Sequence, residues 1–347
     1  MNAVVAHSAM TPTNSRRALS RLSTVVSFLA APALINIPQR SPPQGREREA
    51  ARRDEEATPM KPDDSYRRPY RIVALDLDGT LLDDHGRISA ADRDALRRFA
   101  DGGGIVVLAS GRMSASIRPF YALLGIDGPT IGYNGALARE SQQMGAGVIL
   151  ETPLPALYAD ALIDYTREQR LHLNYYLGER LYARGDPALR RFADLYWRQT
   201  GSVFHFLPDL AVFKGKEPTK TIIITDPTRP DRPNPRHRDE LYAMWRERWG
   251  SRVTVMRTNP EYLEFYHREA SKGNALIAVA AHYSVDPSLT LAFGDNFNDA
   301  SMLQAAGCGV AVANAREEVK RIADWVSPLT NNQSAVADAL GRLVTRA

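Results

Sequence analysis

Apolar residues come in short runs along this chain, and the runs alternate between two periodicities. Arg71–Leu77 (RIVALDL) is almost continuously apolar until it meets acid, which predicts a parallel strand buried on both faces. Ser89, with Asp92 three residues on, predicts the N-terminus of a helix running to about Ala100. Gly102-Gly103-Gly104 follows. A glycine run can cradle phosphate, but here it is read as ending the helix and turning into a second strand, Ile105–Ala109. The same rhythm returns near the C-terminus. A helix is expected from about Gly273 to Tyr283 and a strand over Leu289–Phe293, ending in Gly294-Asp295. A further helix is expected from about Asn298 to Ala306, stopped by Gly307, and then a strand over Gly309–Val312. Strands and helices alternating within one crossover length predict an α/β fold with a doubly wound parallel sheet.

The middle of the chain has another texture. Strands are expected at Thr221–Thr225, Arg252–Met256 and Tyr262–Tyr266, among helices at about 155–170, 186–200 and 238–249. This predicts an α+β domain over 137–268, inserted between two halves of the first, 69–136 and 269–347. Four prolines in Pro227–Pro235 predict a loop, and no internal repeat is present.

Residues 1–68 differ again. No acid precedes Glu47, and the apolar stretch Leu22–Ile37 is broken by Ser23, Thr24, Ser27, Pro32 and Asn36. It falls short of the roughly 20 apolar residues that span a bilayer. Proline- and charge-rich sequence from Pro38 to Arg68 is expected to be disordered. Three readings stay open: an organellar transit peptide, a secretory signal, or an extension upstream of a working start at Met60. The short distance from Met60 to the first strand favours the third, and with it a cytoplasmic location.

Charge then narrows the partners. The net charge of +4 resides wholly in that segment, which holds 11 of the 44 Lys/Arg and 7 of the 40 Asp/Glu, leaving 33 of each in 69–347. A balanced body without a basic stripe argues against nucleic acid, and no membrane partner is expected. Cys308 is the only cysteine, so no intrachain disulfide can form; it is expected to be a small buried hydrophobe. Walker A, G-x-S-x-G, HExxH and paired-cysteine zinc patterns are all missing, and the seven histidines are scattered.

Candidate chemistry concentrates at the predicted strand ends. Asp76-Leu77-Asp78-Gly79-Thr80 puts two carboxylates two residues apart at the carboxyl end of the first strand, where open α/β sheets bind ligands. One carboxylate can attack phosphorus, and the other can hold and deliver a proton. Gly79 lets the chain turn away. The bland alternative is an acidic turn.

That motif does not stand alone. Leu108-Ala109-Ser110-Gly111-Arg112, Lys272 in Ser271-Lys272-Gly273, and Gly294-Asp295-Asn296-Phe297-Asn298-Asp299 follow in order. Over about 70–345 the chain resembles the haloacid dehalogenase superfamily of phosphatases. About 30 residues separate the first two motifs and about 160 separate Ser110 from Lys272, so the insertion follows the second motif. This resembles the Cof-like branch, subfamily IIB. Tyr133-Asn134-Gly135-Ala136 is similar to that branch's segment near the phosphate pocket, and Lys220 to a position in its cap strand.

The resemblance implies a Rossmann-like core with an inserted α+β, C2-type cap, and a Mg²⁺-dependent phosphoric monoester hydrolase. It implies Asp76 as nucleophile and Asp78 as acid and base. Thr80, Ser110, Gly111, Asn134, Lys272 and Asn298 would bind the phosphorylated substrate. Asp76, Asp78 (through its carbonyl), Asp295 and Asp299 would lie in or near the Mg²⁺ shell. The substrate would be a small phosphorylated metabolite: a sugar phosphate, a nucleotide or a phosphorylated cofactor. A sugar phosphomutase of the same branch and a non-enzymatic binding module are the alternatives. Cap residues Tyr175, Tyr176, His205 and Lys214 could meet substrate, although core or surface roles are the simpler expectation for each. Oligomeric state is not legible.

Overall fold

The run that ends at Asp76 forms the central strand of a large sheet, and its alternation shows why. Val73 and Leu75 enter one apolar cluster, Ile72 and Ala74 another, and all four are fully buried. A strand covered on both faces needs continuous apolar sequence. Each fully buried aliphatic side chain of this kind stabilises the fold by about 1.5–3 kcal/mol. The computed structural model describes residues 66–141, 143, 145–225 and 238–345.

In chain order the elements begin with β1 (Ile72–Asp76), α1 (Ala90–Asp101), β2 (Ile105–Ala109), α2 (Ser114–Leu124), β3 (Thr130–Gly132), β4 (Leu137–Arg139) and β5 (Val148–Glu151). A second group follows: α3 (Ala156–Glu168), β6 (His172–Leu177), β7 (Arg180–Arg184), α4 (Arg190–Thr200), β8 (Phe204–Leu207), β9 (Lys220–Ile224), α5 (Arg238–Trp249), β10 (Val253–Arg257) and β11 (Tyr262–His267). The chain closes with α6 (Lys272–His282), β12 (Thr290–Gly294), α7 (Ala300–Ala305), β13 (Cys308–Ala311), α8 (Glu317–Ile322), β14 (Trp325–Val326) and α9 (Ala335–Leu343).

The first sheet has eight strands in the order β14-β13-β12-β1-β2-β3-β4-β5. It is parallel from β14 to β3, and β4 and β5 are added antiparallel. Helices α1, α2 and α9 cover one face, and α6, α7 and α8 the other. The strand order reverses between β1 and β12, the kind of switch point where doubly wound sheets open a crevice. The second sheet, β10-β11-β9-β6-β7-β8, is antiparallel except for the β7–β8 pair. One face packs under α3 and α5 through Leu162, Leu241 and Trp245. The other packs against α4, against Tyr133 and Ala136 of the β3–β4 turn, and against Leu137 of β4. The fold is thus the expected α/β doubly wound sheet with an inserted α+β unit.

Three expected limits shift. The insertion does not start at 137: the left-handed turn at Tyr133–Gly135 reverses the chain, so that 137–139 and 148–151 lengthen the first sheet. The N-terminal segment does not extend through Arg68, because Arg68 donates to the Leu343 carbonyl at 3.0 Å and its own carbonyl accepts from the Thr345 amide at 3.0 Å. The expected helix at Asn298 opens as a 3-10 turn, Phe297–Asp299, before α7. Other ends move by a residue or two, the ordinary scatter of helix and strand termini. Ser89 caps α1 by accepting from the Asp92 amide at 3.0 Å, and Gly102 ends that helix, both as expected. The loop expected at 227–235 and the readings of residues 1–65 lie outside the described residues. Cys308 is buried and unpaired.

Candidate active site

Three strand ends and one turn converge on the crevice. β1 delivers Asp76, and the chain then turns at Gly79 with φ +85°; a Cβ there would lie 2.8 Å from Asp295 Oδ2. Only glycine accepts both that backbone and that approach. β2 ends in Ser110 and Gly111. β3 runs into Tyr133-Asn134-Gly135, all at positive φ (52°, 55° and 95°). Such conformations cost energy for residues other than glycine, and they concentrate at functional sites. A Cβ on Gly135 would lie 2.1 Å from the Ser271 carbonyl, so this turn abuts the N-terminus of α6. β12 leads into Asp295 and the turn that carries Asn298 and Asp299.

Lys272 opens α6, where the helix dipole disfavours a cation. Two carboxylates offset this: its ammonium donates to Asp76 Oδ1 at 2.5 Å and to Asp299 Oδ1 at 2.6 Å. Burial disfavours the ammonium, but Asp299 and Asp76 outweigh it and hold Lys272 above the ordinary lysine range. Burial, and then the Asp299 charge, push the Asp76 carboxyl upward, while Lys272 pulls it down. Burial and Asp299 likewise push Asp295 up to about 6.

Asp76, Asp295 and Asp299 each offer an oxygen within 4.8 Å of the others. Three acids with one lysine leave negative charge in a buried place, and hard oxygen donors suit Mg²⁺. The donor set therefore fits a divalent cation of this kind. Asp299 has further partners: besides Lys272, its Oδ2 accepts from the Asp295 and Asn296 amides, both at 3.0 Å. It anchors the lysine and the loop.

Of the residues expected here, Asp76, Asp78, Ser110, Gly111, Asn134, Asp295 and Asn298 line one cleft of about 580 Å³ between the two sheets. Thr80, Lys272 and Asp299 do not line it. Thr80, expected to contact substrate, is buried, and its hydroxyl donates to Asp295 Oδ1 at 3.0 Å. Lys272 is fully buried behind Asp76 and meets that carboxylate rather than open cleft. Asp78 is exposed and gripped by Arg112, whose Nη2 and Nε reach its two oxygens at 2.5 and 2.9 Å. Asn298 Nδ2 donates to Asn134 Oδ1 at 3.1 Å.

From the second sheet, Tyr176 lines the cleft, its hydroxyl donating to Tyr196 at 2.6 Å. Tyr175, His205 and Lys214 stay outside it: Tyr175 donates to the Lys216 carbonyl, His205 lies against Tyr182, and Lys214 pairs with Asp164. Sequence reasoning missed Arg112, which the second motif contains. It also passed over Lys220 as a site residue and missed Glu264 and Tyr266 altogether. A lysine at a strand start and an acid inside a tyrosine-rich strand were the available signals.

A site built in this way belongs to a known class. The chain is a member of the haloacid dehalogenase-like hydrolases, whose family model matches residues 73–340. The pyridoxal phosphate phosphatase YbhA of Escherichia coli (strain K12) is 30% identical over 267 residues, which cover 74% of this chain and 92% of that protein. The crystal structure of TM0651 from Thermotoga maritima aligns with a TM-score of 0.69 at 33% identity, covering 80% of this chain and 98% of the other. BT4131, a subclass IIB sugar phosphatase, shares the fold, with a TM-score of 0.64 at 20% identity over 78% of this chain and 98% of its own. Among the described residues no helix is long and apolar enough to cross a membrane.

Proposed function

We propose that this protein is a Mg²⁺-dependent phosphatase that cleaves a small phosphorylated metabolite through an aspartyl-phosphate on Asp76. One observation carries the reading. At the floor of the cleft the Asp76 carboxylate lies 2.5 Å from a buried lysine, beside Asp295, and two residues before a second, exposed carboxylate.

Asp76 attacks phosphorus in line with the leaving oxygen, and Asp78 gives that oxygen a proton. Asp78 then takes a proton from the water that opens the acyl phosphate, returning Asp76. Arg112 must let go of Asp78 for the proton to be carried. Ser110, the Gly111 amide, Asn134 and Asn298 hold phosphate oxygens, and Lys272 orients Asp76 and offsets its charge. Bound at Asp76, Asp295 and the Asp78 carbonyl, Mg²⁺ would neutralise phosphate charge. The inserted unit acts as a cap over the cleft, excluding water and choosing the leaving group.

The test is phosphate release from a panel of sugar phosphates, nucleotides and phosphorylated cofactors, pyridoxal phosphate among them, with Mg²⁺ or with EDTA. Release that EDTA stops and that Asp76→Asn abolishes is the expected result. An active Asp76→Asn enzyme would sink the mechanism.

A further inference from the structure

Lys220 and Glu264 form an ion pair at 2.9 Å, and both are almost wholly buried. They lie on the face of the second sheet that turns toward the first, among Tyr176, Ile222, Ile224 and Tyr262. Burial opposes ionisation of both groups, but their mutual attraction outweighs it, so both stay charged. A pair of this kind is a poor source of stability, since apolar residues of similar size usually serve as well or better. Its hydrogen bonds lead elsewhere.

All three ammonium protons of Lys220 are engaged: to Glu264 Oε2, to the Tyr266 hydroxyl at 3.1 Å, and to the Gly111 carbonyl at 3.3 Å, across the gap between the sheets. Tyr266 gives its own proton to Glu264, whose other oxygen accepts from Thr258 at 2.6 Å. The tyrosine oxygen can then only accept, and it does so from Asn134 Nδ2 at 3.0 Å. This fixes the Asn134 amide with Oδ1 toward Asn298. A second arm runs through one peptide group. The Gly111 carbonyl that receives Lys220 shares its amide with the Arg112 N–H, which donates to Ser110 Oγ at 3.2 Å. That bond holds the Ser110 oxygen in place through one lone pair and leaves its O–H able to donate to an incoming oxygen.

We propose that Lys220, Glu264 and Tyr266 are positioning residues through which the inserted sheet sets the phosphate-binding geometry of Ser110, Asn134 and Asn298. The inserted sheet then does more than cover the cleft: phosphate is held at full strength only while this sheet is docked. The inference rests on the phosphatase reading above.

The experiment measures turnover of p-nitrophenyl phosphate, with inorganic phosphate as competitive inhibitor, in two variants of the full chain. Tyr266→Phe cuts the link to Asn134 and leaves the ion pair. Lys220→Met/Glu264→Gln removes the pair without stranding a buried charge. Each variant should raise the phosphate inhibition constant by about ten-fold, the worth of one hydrogen bond to a charged ligand, with KM rising in parallel. Tyr266→Phe should remain folded, with a urea midpoint only modestly below that of the parent. Combining all three substitutions should cost less than the product of the separate effects, because they interrupt one path. An unchanged inhibition constant in the folded variants, from an active parent, overturns this inference alone. A parent that releases no phosphate overturns the phosphatase reading, and this inference with it.

Discussion

Removing Lys272 gives the sharpest test of the site's electrostatics. Lys272→Met keeps most of the side-chain volume and deletes the charge. Its partners Asp76 and Asp299 are 5% and 0% exposed, so Asp299 cannot recruit water in its place and Asp76 can do so only from the cleft side. Removing one member of a buried pair costs about 3–5 kcal/mol, and here two carboxylates lose the same partner and face each other, so about 5 kcal/mol is expected. For a unit of this size that lowers the melting temperature by about 10 °C in EDTA. The pKa of folded Lys272 is raised, so its contribution is present in full below the unfolded value of about 10.4 and is lost as pH climbs beyond it. The deficit should therefore be undiminished at pH 7. Mg²⁺ should restore more stability to the variant than to the parent, because the cation meets acids that have lost their counter-charge. Lys272→Met/Asp299→Asn should regain part of the loss by removing one of the stranded charges. Turnover of Lys272→Met should fall by at least about 10³-fold, or about 4 kcal/mol of barrier. Denaturation in EDTA and phosphate release are the assays. A Lys272→Met protein as stable in EDTA as its parent would refute the reasoning.

Two further outcomes follow from single residues. His172 is buried against Phe192 and Phe204, and burial lowers its pKa from the ordinary 6.5 to about 4. The unfolded chain therefore takes up the proton first, and stability worth about 3 kcal/mol in all is lost progressively as pH falls from above 6.5 through 4; urea titrations of the parent and of His172→Asn at pH 7 and 4.5 should differ by about 2 kcal/mol in pH dependence, and equal dependence would count against it. Gly79→Ala strains a φ of +85° and drives a methyl to 2.8 Å from Asp295 Oδ2, so the Mg²⁺ concentration for half activation should rise by at least about ten-fold with the circular dichroism unchanged; an unshifted Mg²⁺ dependence would show that Asp295 does not hold the metal.

What the sequence disclosed and what it hid divide along a physical line. Each motif at a strand end was legible because its parts are adjacent: Asp76 to Thr80 share one turn, and Asn298 and Asp299 share another. The βαβ rhythm was legible because a buried parallel strand needs an unbroken apolar run, as Ile72–Leu75 and Val106–Ala109 show. The short strands β3 to β5 were hidden, since three or four residues carry no period and their pairing depends on the Tyr133–Gly135 turn. Helix α2 was obscured by Pro119 inside it. The Thr80 contact was hidden because a hydroxyl beside two carboxylates has several possible acceptors, and only the approach of β12 selects Asp295. Lys220 and Glu264 lie 44 residues apart, and no local pattern joins them.

The two carboxylates of the first motif show how position divides labour on the proposed mechanism. Asp76 and Asp78 are two apart, and in a continuing strand they would share a face and an environment. The turn at Gly79 breaks that equivalence. Asp76 stays at the strand end, buried and bound to Lys272, where it is aimed and shielded as a nucleophile must be. Asp78 is carried out to the cleft, its side chain 57% exposed and paired with Arg112, a contact that solvent screens and that contributes little stability. A weak, exposed pair can open and close as a proton is taken and given; a buried one cannot do so at the same small cost. One glycine thus separates a buried carboxylate from an exposed one, which is the asymmetry that acid–base catalysis with two like groups requires.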